Sequence, residues 1–201
     1  MKLTTCRLSA SFRHNIIAGM LLILAAGCMP QKEAEVVKST PTPLDPYRMV
    51  RAHNIWRTDA GLPGLHWSNE LAAKAKSWAE KLALQGCSLK HSDSVYGENI
   101  FWAGPREVTT QNKKGETLRR HQLQDIKEQE VVDSWAEERQ WYSHKDNSCN
   151  APDGRSCGHY TQIVWKDTLE VGCAKAVCSD NSQVWVCFYD PPGNFSGQSP
   201  Y

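Results

Sequence analysis

Four ionisable residues, far apart along the chain, carry the side chains best suited to acting on a ligand: His91, Glu98, Glu138 and His159. Glu138 continues the line Val131, Trp135, Tyr142, at helical offsets that put all four on one face. A carboxylate in such an apolar stripe is costly unless paired, so it needs a cationic or hydrogen-bonding partner. His91, in Leu89-Lys90-His91-Ser92, and His159, in the run Cys157 to Trp165, are the candidates. Glu98 is a second carboxylate with apolar surroundings, between Gly97 and Asn99 and ahead of Ile100-Phe101-Trp102. Neutral imidazoles suit a divalent cation, zinc above all. Carboxylates suit acid–base work on water, or the orienting of metal ligands. Each of the four could equally be a satisfied structural residue. Trp102 is a candidate cleft wall, while Tyr160, Thr161 and Gln162 read as scaffolding around His159. His53 and Asn54 read as residues that satisfy backbone groups.

Other chemistries lack their signatures. The chain has no Gly-x-Ser-x-Gly elbow and no His-Glu-x-x-His helix, so a hydrolase would need metal-bound or carboxylate-activated water. It has no Cys-x-x-Cys pair, which argues against a thiolate zinc cluster. A net charge of +1 over 201 residues gives no basic surplus, and no nucleic-acid partner is expected. The eight Trp imply a bulky core or an aromatic-lined cleft.

The elements that must position the four residues are legible in outline. A helix is predicted over Tyr47–Ala60 with Gly61 as its stop, and a second from a Ser68 cap to about Gln85. A third is predicted over Lys127–Tyr142, carrying Glu138. Val171–Cys178 and Gln183–Asp190 read as strands of a hairpin turning through Ser179-Asp180-Asn181-Ser182. The polar stretch from Pro105 to Gln129 reads as a solvated loop, with a specificity element as the sharper alternative. Helices first and strands last indicate an α+β arrangement with helices packed on a sheet.

The N-terminus indicates export. Lys2, Arg7 and Arg13 precede an apolar run from Ile16 to Ala26, too short to span a bilayer but suited to a signal peptide. Leu24-Ala25-Ala26-Gly27-Cys28 resembles the lipobox of bacterial lipoproteins, in which the cysteine is acylated and becomes the first mature residue. Ala25 stands where the usual leucine would be, so plain secretion after nearby cleavage is the alternative, and a retained anchor the third. Met29 after the cysteine favours the outer membrane. Residues 1–27 are thus read as the signal, 28–46 as a flexible Pro-bearing tether and 47–201 as the folded domain. The only expected contact with a membrane is the lipid on Cys28, and the protein is expected to be monomeric.

Six cysteines remain once Cys6 leaves with the signal and Cys28 is taken by lipid, which suggests three disulfides. A hairpin about Asp180 sets Cys173 opposite Cys187, and Cys178, an odd step away, points to the other face. Cys149 and Cys157 flank a short Pro/Gly loop and would make a local staple. Cys87–Cys178 follows by elimination.

Further residues carry a family resemblance. His53-Asn54-x-x-Arg57, Gly97-Glu98-Asn99, Trp135-x-x-Glu138-x-x-x-Tyr142 and His159-Tyr160-Thr161-Gln162-x-Val164-Trp165 occur in order. Val171-Gly172-Cys173-Ala174 and Tyr189-Asp190-Pro191-Pro192-Gly193-Asn194-Phe195-x-Gly197-Gln198 complete the set. Together they resemble the CAP superfamily of cysteine-rich secretory, antigen 5 and pathogenesis-related 1 proteins. The resemblance implies a three-layer α-β-α sandwich with a mostly antiparallel central sheet, and the same three disulfides. It implies a cleft tetrad of His91, Glu98, Glu138 and His159, in which the histidines hold Zn²⁺ or another divalent cation weakly. It also implies binding of a lipid, a sterol or another extracellular ligand. A metal-dependent esterase or protease with Glu98 and Glu138 as catalytic groups is the alternative, and a purely structural tetrad with function in surface loops the third.

Overall fold

The computed structural model describes residues 35–36 and 41–201. The expected signal, the expected lipidation site Cys28 and most of the expected tether lie outside the described residues. A short strand β1 (Glu35–Val36) comes first. It is followed by helix α1 (Pro46–Asp59), strand β2 (His66–Trp67), helix α2 (Asn69–Leu84) and strand β3 (Gly97–Ala103). Next come strands β4 (Arg106–Gln111) and β5 (Thr117–Gln122), then helix α3 (Glu128–Ala136). The chain ends with β6 (Tyr142–Ser143), β7 (Ser148–Cys149), α4 (Gly158–Ile163), β8 (Glu170–Val177) and β9 (Gln183–Asp190).

The central sheet has the order β2-β8-β9-β3, antiparallel except for the β2–β8 pair. Helix α2 covers one face, where Leu71, Ala75, Ala79 and Leu82 meet Ile100, Val184, Val186 and Phe188. Helices α1, α3 and α4 cover the other, around Met49, Ala52, Val131, Trp135, Ile163 and Trp185. This is the expected three-layer α-β-α sandwich.

Local chemistry explains the helix ends. The Asp45 side chain accepts from the N–H groups of Tyr47 (2.9 Å) and Arg48 (3.2 Å), and Pro46 supplies a first-turn residue with no N–H to satisfy. Ser68 caps α2 through the Leu71 N–H, at 3.5 Å. Gly172 lets β8 approach α2, since a Cβ there would lie 2.3 Å from the Ala72 nitrogen. The β8–β9 register sets Cys173 opposite Cys187 as expected. The three disulfides are Cys87–Cys178, Cys149–Cys157 and Cys173–Cys187.

Two expectations are corrected. The stretch after Pro105 is a β-hairpin, β4 against β5, with β1 pairing in parallel to Arg120 and His121. The third helix stops at Ala136 and continues as a 3-10 turn over Glu137–Trp141 before Tyr142 enters β6. The tighter winding takes Glu138 off the α-helical stripe.

Candidate functional site

The site is assembled at the β3 edge of the central sheet, where the start of β3 meets α4. Gly97 makes the approach possible: a Cβ there would lie 2.1 Å from Gln162 Oε1 on α4. Gln162 is itself fixed, accepting from the Gly193 N–H at 2.9 Å and donating to Thr168 Oγ1 at 3.2 Å. Arg57, almost fully buried on α1, holds the far end of α4. Its guanidinium donates to the carbonyls of Ile163 (3.0 Å), Trp165 (2.8 Å), Thr168 (3.1 Å) and Pro63 (2.7 Å). Burial pulls its pKa down to about 10, still charged at neutral pH.

Each histidine is paired with one carboxylate. His91 Nδ1 donates to Glu98 Oε1, and the same carboxylate takes the Ser92 hydroxyl and the Ser92 N–H, the latter at 3.2 and 3.1 Å. The Glu98 side chain is only 6% exposed, whereas that of His91 is 64% exposed. The hydrogen bond to Glu98 raises the pKa of His91 above the ordinary imidazole value, against the opposing effect of burial. His159 Nδ1 donates to Glu138 Oε1 at 2.6 Å. Glu138 Oε2 accepts from the N–H groups of His159 (2.8 Å) and Tyr160 (3.2 Å), in the first turn of α4. Those N–H groups have no partner within their own helix, and satisfying them explains why Glu138 leaves the α3 stripe. The His159 ring also stacks on Trp135, centroids 6.3 Å apart and planes at 15°.

Asn99 connects the two pairs. Next in sequence to Glu98, it donates from Nδ2 to the His159 carbonyl and to Tyr189 Oη, both at 3.1 Å. Tyr189 Oη in turn lies 2.8 Å from His53 Nε2, and His53 Nδ1 lies 2.8 Å from the Met49 carbonyl. That carbonyl fixes the proton on Nδ1, so Nε2 accepts from the tyrosine hydroxyl. His53, Asn99 and Tyr189 are all buried. Burial lowers the pKa of His53 to about 4 and raises that of Tyr189. His53 therefore stays neutral at physiological pH. Asn54 satisfies both main-chain groups of Leu65, so both α1 residues serve the backbone as expected.

Sequence reasoning passed over Ser92, Asn99 and Tyr189 as members of this network. A polar side chain beside His91, and an amide inside an apolar strand, were the available signals. Trp102 is half-exposed on β3, four residues past Glu98. Ser92 donates to a carboxylate rather than to an imidazole, so it is not arranged as a base-activated nucleophile. In both pairs the carboxylate fixes the proton on Nδ1, leaving Nε2 as the lone-pair nitrogen, the arrangement found around metal-bound histidines. Among the described residues no group of three or more His, Cys, Asp or Glu is placed to hold a metal ion. A cation here would rest on two protein ligands at most.

Similarity to known proteins bears on the family and the fold. The family model described as "Cysteine-rich secretory protein family" matches residues 50–189. Pathogenesis-related protein 1C of Nicotiana tabacum is 39% identical over 150 residues, 75% of this chain and 77% of that protein. Schistosoma mansoni venom allergen-like protein 4 shares the fold, with TM-score 0.52 at 24% identity, over 76% of this chain and 90% of that one. The crystal structure of NaASP2 with Zn²⁺ also shares it, with TM-score 0.54 at 21% identity, over 77% and 83%. Three disulfides fit an oxidising compartment outside the cytosol. The chain belongs to the cysteine-rich secretory protein (CAP) family and is of its pathogenesis-related 1 type.

Proposed function

We propose that the chain is an exported binding module in which His91 and His159 hold a divalent cation, zinc by preference. The open positions of the cation take the polar head of a lipid-like, sterol-like or other extracellular ligand. One observation carries this reading: each imidazole gives its Nδ1 proton to a buried or half-buried carboxylate, which sets Nε2 for a cation. NaASP2, which has the same fold, was crystallised with Zn²⁺. Two protein ligands make binding weak and exchangeable, unlike a three-ligand catalytic zinc. Hydrolysis has less support, because both carboxylates are already engaged by main-chain N–H groups. Acylation at Cys28 would tether the domain to the outer membrane, with plain secretion as the alternative.

A structural tetrad is the second reading, favoured by the three bonds that Glu138 makes to the first turn of α4. Zinc titration separates the two. Under the binding reading the protein takes up one Zn²⁺, and His91→Ala weakens uptake at least about tenfold while shifting Tm by no more than about 4 °C. Absence of uptake in the unaltered protein leaves the structural reading. Mass spectrometry of lipid extracts from exported protein identifies the ligand, an intact lipid supporting binding and a cleaved one hydrolysis.

A further inference from the structure

On the opposite edge of the central sheet, β2 pairs with β8 only at Glu170 and Val171. It ends at Trp67 because Ser68 turns the chain into α2. Beyond Val171, β8 has no ladder partner on that side among the described residues. The register shows which groups are left open. Cys178 donates to the Ser182 carbonyl at 2.8 Å, so even-numbered positions of β8 bond to β9. The Val171 carbonyl accepts from Ser68 N–H at 2.9 Å on the other side, so the main-chain groups of Cys173, Lys175 and Val177 face outward.

Those groups lie in a groove of about 410 Å³. Ala72 and Ala73 of α2, Trp67 of β2 and the segment carrying Pro43 and Leu44 line it as well. Residues 41–44 do not complete the ladder. Pro41 and Pro43 have no N–H, and among the described residues no main-chain bond joins residues 41–44 to β8.

Lys175 lines the groove, with Glu128 and Asp125 as its acidic neighbours. The Lys175 ammonium is 4.3 Å from the Trp185 ring centroid, and burial lowers its pKa. Both acids also bond elsewhere, Asp125 with Lys127 and Glu128 with the Asp45 N–H, and among the described residues neither closes a direct ion pair with Lys175. The other lysine, Lys76, is paired with Glu80.

We propose that this groove is a strand-addition site for an extended peptide segment whose main chain pairs with the open edge of β8 and whose acidic side chain meets Lys175. A hydrocarbon chain in the same place would strip water from main-chain N–H and C=O groups without replacing their hydrogen bonds. A peptide strand supplies those bonds, and the small alanines leave room for its alternate side chains. The groove shares no lining residue with the His/Glu tetrad, so the two sites fail or succeed separately.

The probes are acetylated, amidated hexapeptides alternating Val or Thr with Ala, with one Glu stepped through the positions, titrated into the full exported protein to about 1 mM. The expected result is saturable binding that protects the amides of Cys173, Lys175 and Val177 from hydrogen exchange. Lys175→Ala should weaken it about five- to tenfold, and the exposed-site Ala73→Trp should abolish it while leaving zinc uptake unchanged. Alternate N-methylation of the peptide should also abolish it. Binding unaffected by N-methylation, no binding by any hexapeptide, or saturable palmitate binding that excludes the peptides would overturn the proposal.

Discussion

His53 shows at residue scale how one buried group sets a pH limit. Its pKa of about 4 in the fold stands against an ordinary 6.5, so the unfolded chain binds the extra proton between those values. Stability is then full above pH 6.5 and falls as pH drops towards 4, by up to about 3 kcal/mol. Denaturant titrations across that range should show the slope, and His53→Gln should flatten it. Arg57 supports a harsher prediction. Its four carbonyl acceptors need the guanidinium fork, so Arg57→Lys should cost about 3 kcal/mol or more, measured by urea unfolding. Both residues were visible in the sequence as polar groups on a helix. Their partners were not, because Tyr189, Ile163 and Trp165 come more than a hundred residues later and only tertiary packing brings them near.

At the scale of elements, legibility followed periodicity. Helices α1 and α2 carry apolar lines with caps, and the β8–β9 register follows from its own turn, so local chemistry suffices. The end of α3 was hidden because a distant element decides it: the N–H groups of His159 and Tyr160 draw the Glu138 carboxylate. Hairpin β4–β5 was hidden for another reason. Its β4 strand is almost wholly exposed and offers no apolar alternation. The candidate site was legible as four residues, but not as two pairs bridged by Asn99. Two glycines test the contacts between elements. Gly172→Ala drives a Cβ into Ala72 and Ser68 backbone, whereas Gly97→Ala meets only the Gln162 side chain. Thermal unfolding should rank Gly172→Ala as the more damaging, by at least about 1 kcal/mol. Gly97→Ala should mainly impair cation uptake.

For the whole molecule, covalent closure outweighs any single contact. Cys87–Cys178 spans 91 residues and Cys149–Cys157 only 8. Loop entropy gives the first about 4–5 kcal/mol and the second about 2–3 kcal/mol. Paired Cys→Ala variants should follow that order in urea, while loss of Cys149–Cys157, which joins the residue ahead of α4, should loosen His159 more than the fold. The long bridge also encloses the whole of hairpin β4–β5, the most exposed paired strands among the described residues. An extracellular protease that nicks the hairpin would therefore leave two fragments fastened together by sulfur. Such clipped protein should migrate as one species on a non-reducing gel and as two after thiol treatment, so damage at this exposed flap need not release either half of the molecule.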